Sequence, residues 1–306
     1  MRITRVSAVM AVLTLLAVAC AEDGTTGDGS PSPTAQPTIP SVSIDQCQTP
    51  QGAQPPADPK GVDFNAQLND PGILHIGSDN DFPPFEETKP GEDEPVGFAV
   101  DLYTEIADRL GLEARSTTTS FDGLFTQSIP GNEFDLGVSS ITIKEERKQT
   151  VDFTIAYFEA DLSLAINSEL TPDIKTIQDL DGLTIGAQQG TTGEECANFL
   201  VAQGLAAEVK SFDTSSLMFQ DLSTGGIAAV VNDRPASQGF VDKDSALAVV
   251  QVIETREQYG MAISKDKPDL RVAVNEALTA MMEDGTYAQI YETWFETPPP
   301  FEVPIR

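Results

Sequence analysis

The chain is poor in the residues on which most catalytic and metal chemistry depends. It has one histidine, three cysteines and one tryptophan among 306 residues. A lone imidazole argues against a His-based catalytic triad. Three cysteines with one histidine are too few soft ligands for a structural zinc site. Cations are scarce as well: 18 Lys and Arg stand against 48 Asp and Glu, a formal net charge of −30. That acidic excess repels phosphate backbones and anionic membrane surfaces, so nucleic acid is not an expected partner; the charge reads as solubility outside the cell. Beyond the N-terminal stretch no apolar run is long enough to span a bilayer. The Gly-rich residues 188–193 lack the lysine of a P-loop and the spacing of a Rossmann fingerprint, which argues against a nucleotide. What remains, 40% hydrophobic and 22% charged residues, is the composition of a soluble globular protein. The length suffices for one large or two ordinary domains.

Arg2 and Arg5 precede an apolar run over 6–18 with small residues after it, a secretory signal expected to occupy 1–19. Leu16-Ala17-Val18-Ala19-Cys20 is similar to a bacterial lipobox, with Ala17 where leucine is usual. Cleavage before Cys20 would leave a lipid on its sulfur as the only membrane anchor; the alternative is a plain signal peptide with an incidental Cys20. Residues 20–62 are rich in Gly, Thr, Ser, Pro and Gln, and are expected to form a disordered tether. Once Cys20 is acylated, Cys47 and Cys196 are the two remaining thiols in an oxidising compartment. A Cys47–Cys196 disulfide and two free thiols are both open.

Strands then alternate with helices. Residues 72–78 form a short apolar strand, and its His75 reads as structural. Asp79-Asn80-Asp81-Phe82-Pro83-Pro84-Phe85 follows as a rigid loop, because prolines cannot continue a sheet. Ligands of open α/β sheets sit at the carboxyl ends of strands, which places Asp79 and Phe82 toward one. The spacing of Leu102, Ile106 and Leu110 predicts a helix that stops at Gly111. A strand over 114–118 leads to a turn at Ser120-Phe121-Asp122-Gly123-Leu124, where Phe121 is either a core aromatic or a ligand wall. Extended chain over 153–166 leaves this first unit. A second strand, 183–187, runs into Gln188-Gln189-Gly190-Thr191-Thr192-Gly193, with a helix beginning near Glu194; such a loop cradles a phosphate or carboxylate. A further strand over 225–233 ends in Asn232-Asp233. Residues 259–264 return strand-like to the first unit, and two helices close the chain, one over 270–281 and one carrying Tyr287, Tyr291 and Trp294. This alternation predicts an α/β fold with mostly parallel sheets.

The stretch Ser139-Ser140-Ile141-Thr142-Ile143-Lys144-Glu145-Glu146-Arg147 follows an apolar run over 134–138 that reads as a buried strand. Thr142 with Glu145 fits a capping box, so a helix is expected to open here. Its first N–H groups are unpaired and attract anions, helped by the helix dipole. Arg147 in the first turn would add a planar fork matched to a carboxylate. The alternative is an ordinary strand–helix junction with a surface arginine.

Taken together, the loop 79–85, Gly97-Phe98-Ala99-Val100-Asp101-Leu102, Ser120-Phe121-Asp122-Gly123-Leu124, Thr142-Ile143 with Arg147, Val151-Asp152-Phe153-Thr154, Gln189-Gly190-Thr191-Thr192-Gly193, Asn232-Asp233-Arg234-Pro235 and Asp284-Gly285-Thr286-Tyr287 resemble family 3 of the bacterial extracellular solute-binding proteins. These are the polar amino-acid receptors of ABC importers, and the likeness runs from about Leu74 to Phe295. The resemblance implies a two-lobed, type II periplasmic-binding-protein-like clamp with two hinge strands. Lobe 1 would be 63–161 plus 257–306 and lobe 2 would be 162–256. It implies that Arg147 takes an amino acid's α-carboxylate with backbone N–H groups at Thr142 and Thr192. Asp233 would take the α-ammonium with Ser140, beside Ser139, and Phe82 and Phe121 would wall the side chain. Asp79, Gln188 and Asn232 fall where relatives meet that side chain, which suits an amide or basic amino acid. No cofactor, metal or catalytic residue is implied. The implied partners are a free amino acid, ABC permease subunits and, through the lipid, the outer face of the bacterial cytoplasmic membrane. Two other readings stay open: a cyclohexadienyl-dehydratase-like enzyme on the same fold, and a sensor feeding a membrane kinase.

Overall fold

Ile73-Leu74-His75-Ile76-Gly77-Ser78 buries Leu74 and Ile76 completely and leaves His75 half-buried, the two-residue period of a strand. Leu102 and Ile106 in the next helix are likewise fully buried, and Gly111 ends it in the left-handed conformation that glycine adopts without a Cβ clash. The computed structural model describes residues 39–48 and 63–300. The expected signal 1–19, Cys20 and most of the expected tether lie outside them. Among the described residues no helix is long and apolar enough to cross a membrane.

The elements run in this order: β1 (Ser41–Ser43), β2 (Ile73–Ser78), β3 (Asp81–Phe82), β4 (Glu86–Glu87), α1 (Phe98–Leu110), β5 (Glu113–Thr118), α2 (Phe121–Gly123), β6 (Leu136–Gly137), β7 (Asp152–Phe153) and β8 (Phe158–Asn167). Then come β9 (Thr184–Gln188), α3 (Thr192–Ala202), β10 (Glu208–Phe212), α4 (Ser215–Thr224), β11 (Ala229–Asp233), α5 (Arg234–Val241), β12 (Leu247–Tyr259), β13 (Ala262–Ile263), α6 (Pro268–Asp284) and α7 (Thr286–Phe295). They build two large sheets, one in each lobe of a type II clamp, and a small antiparallel pair, β3-β4. The first has the order β5-β2-β6-β13-β7, parallel from β5 to β6 and antiparallel beyond. The second has the order β1-β12-β8-β11-β9-β10; β9 is parallel to both its neighbours, β8 antiparallel to both of its own. The chain passes between the sheets through residues 154–157 and again at 260–261.

Two of these elements depart from expectation. Part of the expected structureless tether is a strand: β1 pairs in parallel with β12, Ser41 opposite Val252. A few residues on, Cys47 is bonded to Cys196 of α3, 149 positions away in sequence. A low-complexity segment orders here because a sheet edge and a covalent bond supply what its own side chains cannot. The strand expected over 225–233 is shorter, since Gly225 caps α4 in the left-handed conformation and the strand begins at Ala229.

The core of the first lobe is aromatic. Phe85 packs edge-on against Phe158 at 4.8 Å between centroids, and Phe98 against Tyr287 at 5.8 Å. The second is aliphatic, with Leu164, Ile166, Ile185, Leu200 and Val231 fully buried. Each such side chain contributes about 1.5–3 kcal/mol by leaving water. Both cores hold the strand ends and turns described next at fixed distances.

Candidate functional site

Thr142 does not open a helix. Residues 144–150, Lys-Glu-Glu-Arg-Lys-Gln-Thr, contain nothing apolar to bury, and the chain reaches β7 two residues later. Only one tight turn forms, Arg147–Gln149. The backbone of Ile141 and Ile143 is instead tied to the end of β12: Ile143 N donates to Gln258 O at 2.8 Å and Gly260 N to Ile141 O at 3.0 Å. Arg147 is nonetheless buried. Its Nη1 donates to Thr142 O at 2.8 Å and its Nη2 to Gly190 O at 3.0 Å. The guanidinium carbon lies 4.6 Å from the Phe125 ring centroid and 5.4 Å from that of Phe121, two cation–π contacts that offset part of its desolvation. Ser140, just before, sits at φ 48°, strained for a residue with a Cβ.

The matching turn in the second lobe does start a helix. Thr191 Oγ1 accepts from Glu194 N at 3.1 Å, and Glu194 Oε2 accepts from Gly190 N at 2.9 Å. Gly190 has φ 77°, and a Cβ there would lie 3.1 Å from Asp122 Oδ1, so the close approach of the two lobes requires glycine. Gln188 at the end of β9 donates from Nε2 to Asp79 Oδ2 at 3.0 Å and accepts from Ser215 Oγ at 2.9 Å. Asp233 ends β11. Further contacts cross between the lobes: Ser216 N donates to Asp81 Oδ2 at 2.8 Å, Lys144 pairs with Glu195, and Lys243 with Glu87.

Asp79, Phe82, Phe121, Ser139, Ser140, Thr142, Arg147, Gln188, Thr191, Thr192 and Asp233 line one crevice with a volume of about 10 Å³, room for about one water. Ten of the expected site residues therefore meet in one place. Asn232 does not. Alternation along β11 turns its side chain to the face opposite Asp233, where it is buried; its backbone carbonyl accepts from Ser163 Oγ at 3.0 Å. Sequence reasoning missed Thr191, Phe125 and two buried acids. Glu86 accepts from Ser140 Oγ at 3.2 Å, and Glu257 Oε2 accepts from Thr142 Oγ1 at 2.6 Å and Thr192 Oγ1 at 3.0 Å. Two signals carried some of this: Phe121 and Phe125 stand four apart, and Thr255, Glu257 and Tyr259 share one strand face by alternation.

The electrostatics are lopsided. Four buried carboxyls, Asp79, Glu86, Asp233 and Glu257, stand against one buried guanidinium, Arg147, on which the Glu257 and Asp233 charges act. Burial pushes all four up. For Asp79 the Gln188 amide opposes the shift; for Glu86 the Asp79 charge adds to it. For Asp233 the Glu257 charge adds, while Tyr259 and Arg147 oppose. For Glu257 the two threonine hydroxyls and then Arg147 oppose. Burial pulls the Arg147 guanidinium down, and the Glu257 charge works against it. A carboxylate ligand finds a buried cation here, and an ammonium finds a buried carboxyl, Asp233, on the other lobe across the same crevice. Among the described residues no cluster of His, Cys, Asp and Glu fit to hold a metal is present.

This fold and crevice have known counterparts. The profile of the bacterial extracellular solute-binding proteins, family 3, matches residues 74–297. The chain is 33% identical over 231 residues to the L-cystine-binding protein TcyJ of Escherichia coli (strain K12), covering 75% of this chain and 85% of that protein. It is 32% identical over 237 residues to the histidine-binding periplasmic protein of the same organism, covering 74% and 88%. Among solved structures, an ancestral arginine-binding protein bound to arginine superposes with a TM-score of 0.69 at 34% identity, covering 73% of this chain and 98% of that one. With a family match over most of its length and relatives at this identity, the chain belongs to the bacterial extracellular solute-binding proteins, family 3.

Proposed function

We propose that this chain is an extracytoplasmic receptor that captures a polar amino acid, amide or basic in its side chain, and delivers it unchanged to an ABC importer. One observation carries the reading: a buried guanidinium from one lobe and a buried carboxyl from the other, Arg147 and Asp233, face the same crevice. A zwitterion taken out of water needs one partner of each sign. Only the closed clamp offers both, so binding favours closure. In this reading the ligand's α-carboxylate takes the guanidinium that now bonds Gly190 O, with backbone N–H groups at Thr142 and Thr192, and Asp233 with Ser140 takes the ammonium. Phe82 and Phe121 wall the side chain, and Asp79 with Gln188 meets its polar end. The excess of carboxyls over guanidinium favours the basic half of the class, as the arginine- and histidine-binding names of two relatives also do.

A thermal-shift screen against the twenty amino acids tests this, since a ligand bound only by the folded state raises the melting temperature. A basic or amide amino acid is expected to give the largest shift. No shift from any of them, or turnover of the hit on incubation, would refute the reading. The division into lobes at 161/162 and 256/257 is supported by the register break that β8 and β12 share near those positions. The signal peptide and the lipid on Cys20 rest on the sequence alone. Growth with a clickable palmitate analogue is expected to label the wild type and leave Cys20→Ser unlabelled; a labelled variant would remove the anchor from the reading.

A further inference from the structure

We propose that Glu257 is the positioning residue of the carboxylate seat: a hinge-strand carboxylate that holds the hydroxyls of Thr142 and Thr192, one from each lobe, and thereby fixes the backbone amides that meet the ligand. For its ligand the inference rests on the receptor reading above; the contacts stand without it.

Glu257 lies on β12, which belongs to the second lobe's sheet and ends where the chain returns to the first. It is fully buried, and a single oxygen, Oε2, accepts both hydroxyls, at 2.6 and 3.0 Å. Thr142 comes from the bridge that ties residues 141–143 to β12, and Thr192 is the first residue of α3. Parting the lobes must break at least one of the two bonds. The other oxygen, Oε1, is buried with only the Thr255 hydroxyl beside it and no bond of full hydrogen-bond geometry among the described residues. A buried carboxylate left half-satisfied is not an economical way to stabilise a strand.

The backbone around Glu257 is shaped for this placement. Ile253 pairs with Leu162 and Glu257 with Ala160, so four steps along β12 match two along β8. A bulge of this kind re-aims the side chain that follows it. Arg256, inside the bulge, has φ 54°, and Asp161 Oδ1 pins it by accepting from Thr255 N at 2.9 Å and Arg256 N at 3.0 Å. Strain of this sort in a non-glycine residue persists where the surroundings enforce it, often at a working site. Without the bulge, alternation alone would not set Glu257 between the two threonines.

The groups that face Glu257 are Arg147 from the 147–149 turn, Asp233 from the end of β11, Tyr259 from its own strand, and the hydroxyls of Thr142, Thr192 and Thr255. Arg147 supports its charge and Asp233 opposes it. A ligand carboxylate arriving beside Arg147 adds a second negative charge, so Glu257 takes up part of a proton on binding. A glutamine at this position keeps an acceptor for both hydroxyls and cannot take up that proton.

Hydrogen exchange on the ligand-free protein gives the first test. Glu257→Ala is expected to speed amide exchange in both segments, 141–143 and 191–193, by about tenfold, and Glu257→Gln by less than about threefold. Unchanged protection in both segments of the alanine variant overturns the proposal whatever the ligand. Titration calorimetry with L-arginine as the probe gives the second. The alanine variant is expected to bind about tenfold more weakly. Thr142→Val with Thr192→Val should cost as much, and should add nothing to Glu257→Ala, because all three remove the same contacts. The glutamine variant should bind within about threefold of wild type and take up fewer protons, read from paired titrations in buffers of different ionisation heat. Additive losses, or an equal proton count, overturn the proposal. Should Glu257→Ala not fold, the glutamine and valine variants carry both measurements. Should the wild type ignore L-arginine, the ligand assignment fails and the exchange experiment still decides the role of Glu257.

Discussion

The pattern Thr-x-x-Glu stands at Thr142 and Glu145 and again at Thr191 and Glu194, where an overlapping copy joins Thr192 to Glu195, and only the stretch at 191–195 becomes the start of a helix. The local chemistry is the same, so the difference lies downstream. Glu194 is followed by Cys196, Ala197 and Leu200, buried at helical spacing against the aliphatic core, and the helix runs for 11 residues. Glu145 is followed by charged and polar residues until Val151, so a helix there would bury nothing and its nucleation cost would go unmet. A capping signal is thus conditional on a face to bury. The two lobes end up offering an anion different things: a side-chain cation beside the uncapped amide of Thr142 from the first, and the backbone amides and dipole of a capped helix from the second.

That contrast breaks most visibly at Arg147. Arg147→Ala is expected to cost roughly 2–5 kcal/mol of affinity for the amino acid found by thermal shift, since it removes a buried charge-assisted partner. Thr191→Ala, which weakens only a cap, is expected to cost far less. Calorimetry of both variants checks this, and comparable losses would mean that the second lobe, not the guanidinium, carries the anion. The next largest effect concerns how each side is anchored. The helix behind the second seat is bonded through Cys196 to Cys47, and the first seat has no such bond among the described residues. Cys47→Ser is expected to lower unfolding stability by about 2–5 kcal/mol. Urea titrations with and without reductant measure it; a wild type indifferent to reductant would mean the bond adds no stability in solution.

Much of this was legible from residue types. The α/β alternation, the glycine stops at Gly111 and Gly285, and the gathering of Arg147, Asp233, Asp79 and Gln188 all followed from short-range patterns and a family resemblance. What escaped was decided by long-range packing. Asn232 and Asp233 are adjacent letters, and only strand alternation in the folded sheet separates their faces. Glu86 and Glu257 look like surface acids by composition, yet both are fully buried; alternation puts Glu257 on the face of Thr255 and Tyr259, but no local signal announces the bulge that precedes it. The order of residues 39–48 came from a bond to a cysteine 149 positions away, which sequence left open.

The four buried acids also make the two sides differ with pH. Asp79, Glu86, Asp233 and Glu257 all have carboxyls raised by burial above their ordinary values of 3.8 and 4.5. Each then contributes stability that is complete below its unfolded value and lost as pH rises through its folded value. The ligand-free protein is therefore expected to melt higher at about pH 5 than at about pH 8, and Glu86→Gln should flatten that slope. A cationic ligand pairs with the ionised forms of Asp79 and Asp233, whose loss of protons outweighs the uptake at Glu257, so its stabilising effect should run the other way and grow with pH. Scanning calorimetry at both values, with and without L-arginine, checks both signs. A Glu86→Gln slope equal to wild type would place the pH dependence on the surface charge instead.

The smallest effect is the sharpest test of why one Thr-x-x-Glu folds and the other does not. Glu194 Oε2 accepts from Gly190 N at 2.9 Å and its Oε1 accepts from Ser211 Oγ, so Glu194→Ala is expected to cost about 1 kcal/mol of unfolding stability. Among the described residues Glu145 is in an exposed pair with Lys148, at 2.9 Å, and Glu145→Ala should stay within about 0.5 kcal/mol of wild type. Urea midpoints of the two variants, measured side by side, separate these values. A cost at Glu145 equal to that at Glu194 would mean that its carboxylate satisfies backbone donors after all. The first lobe would then present capped amides beside its arginine, and the division of labour between the two lobes would disappear.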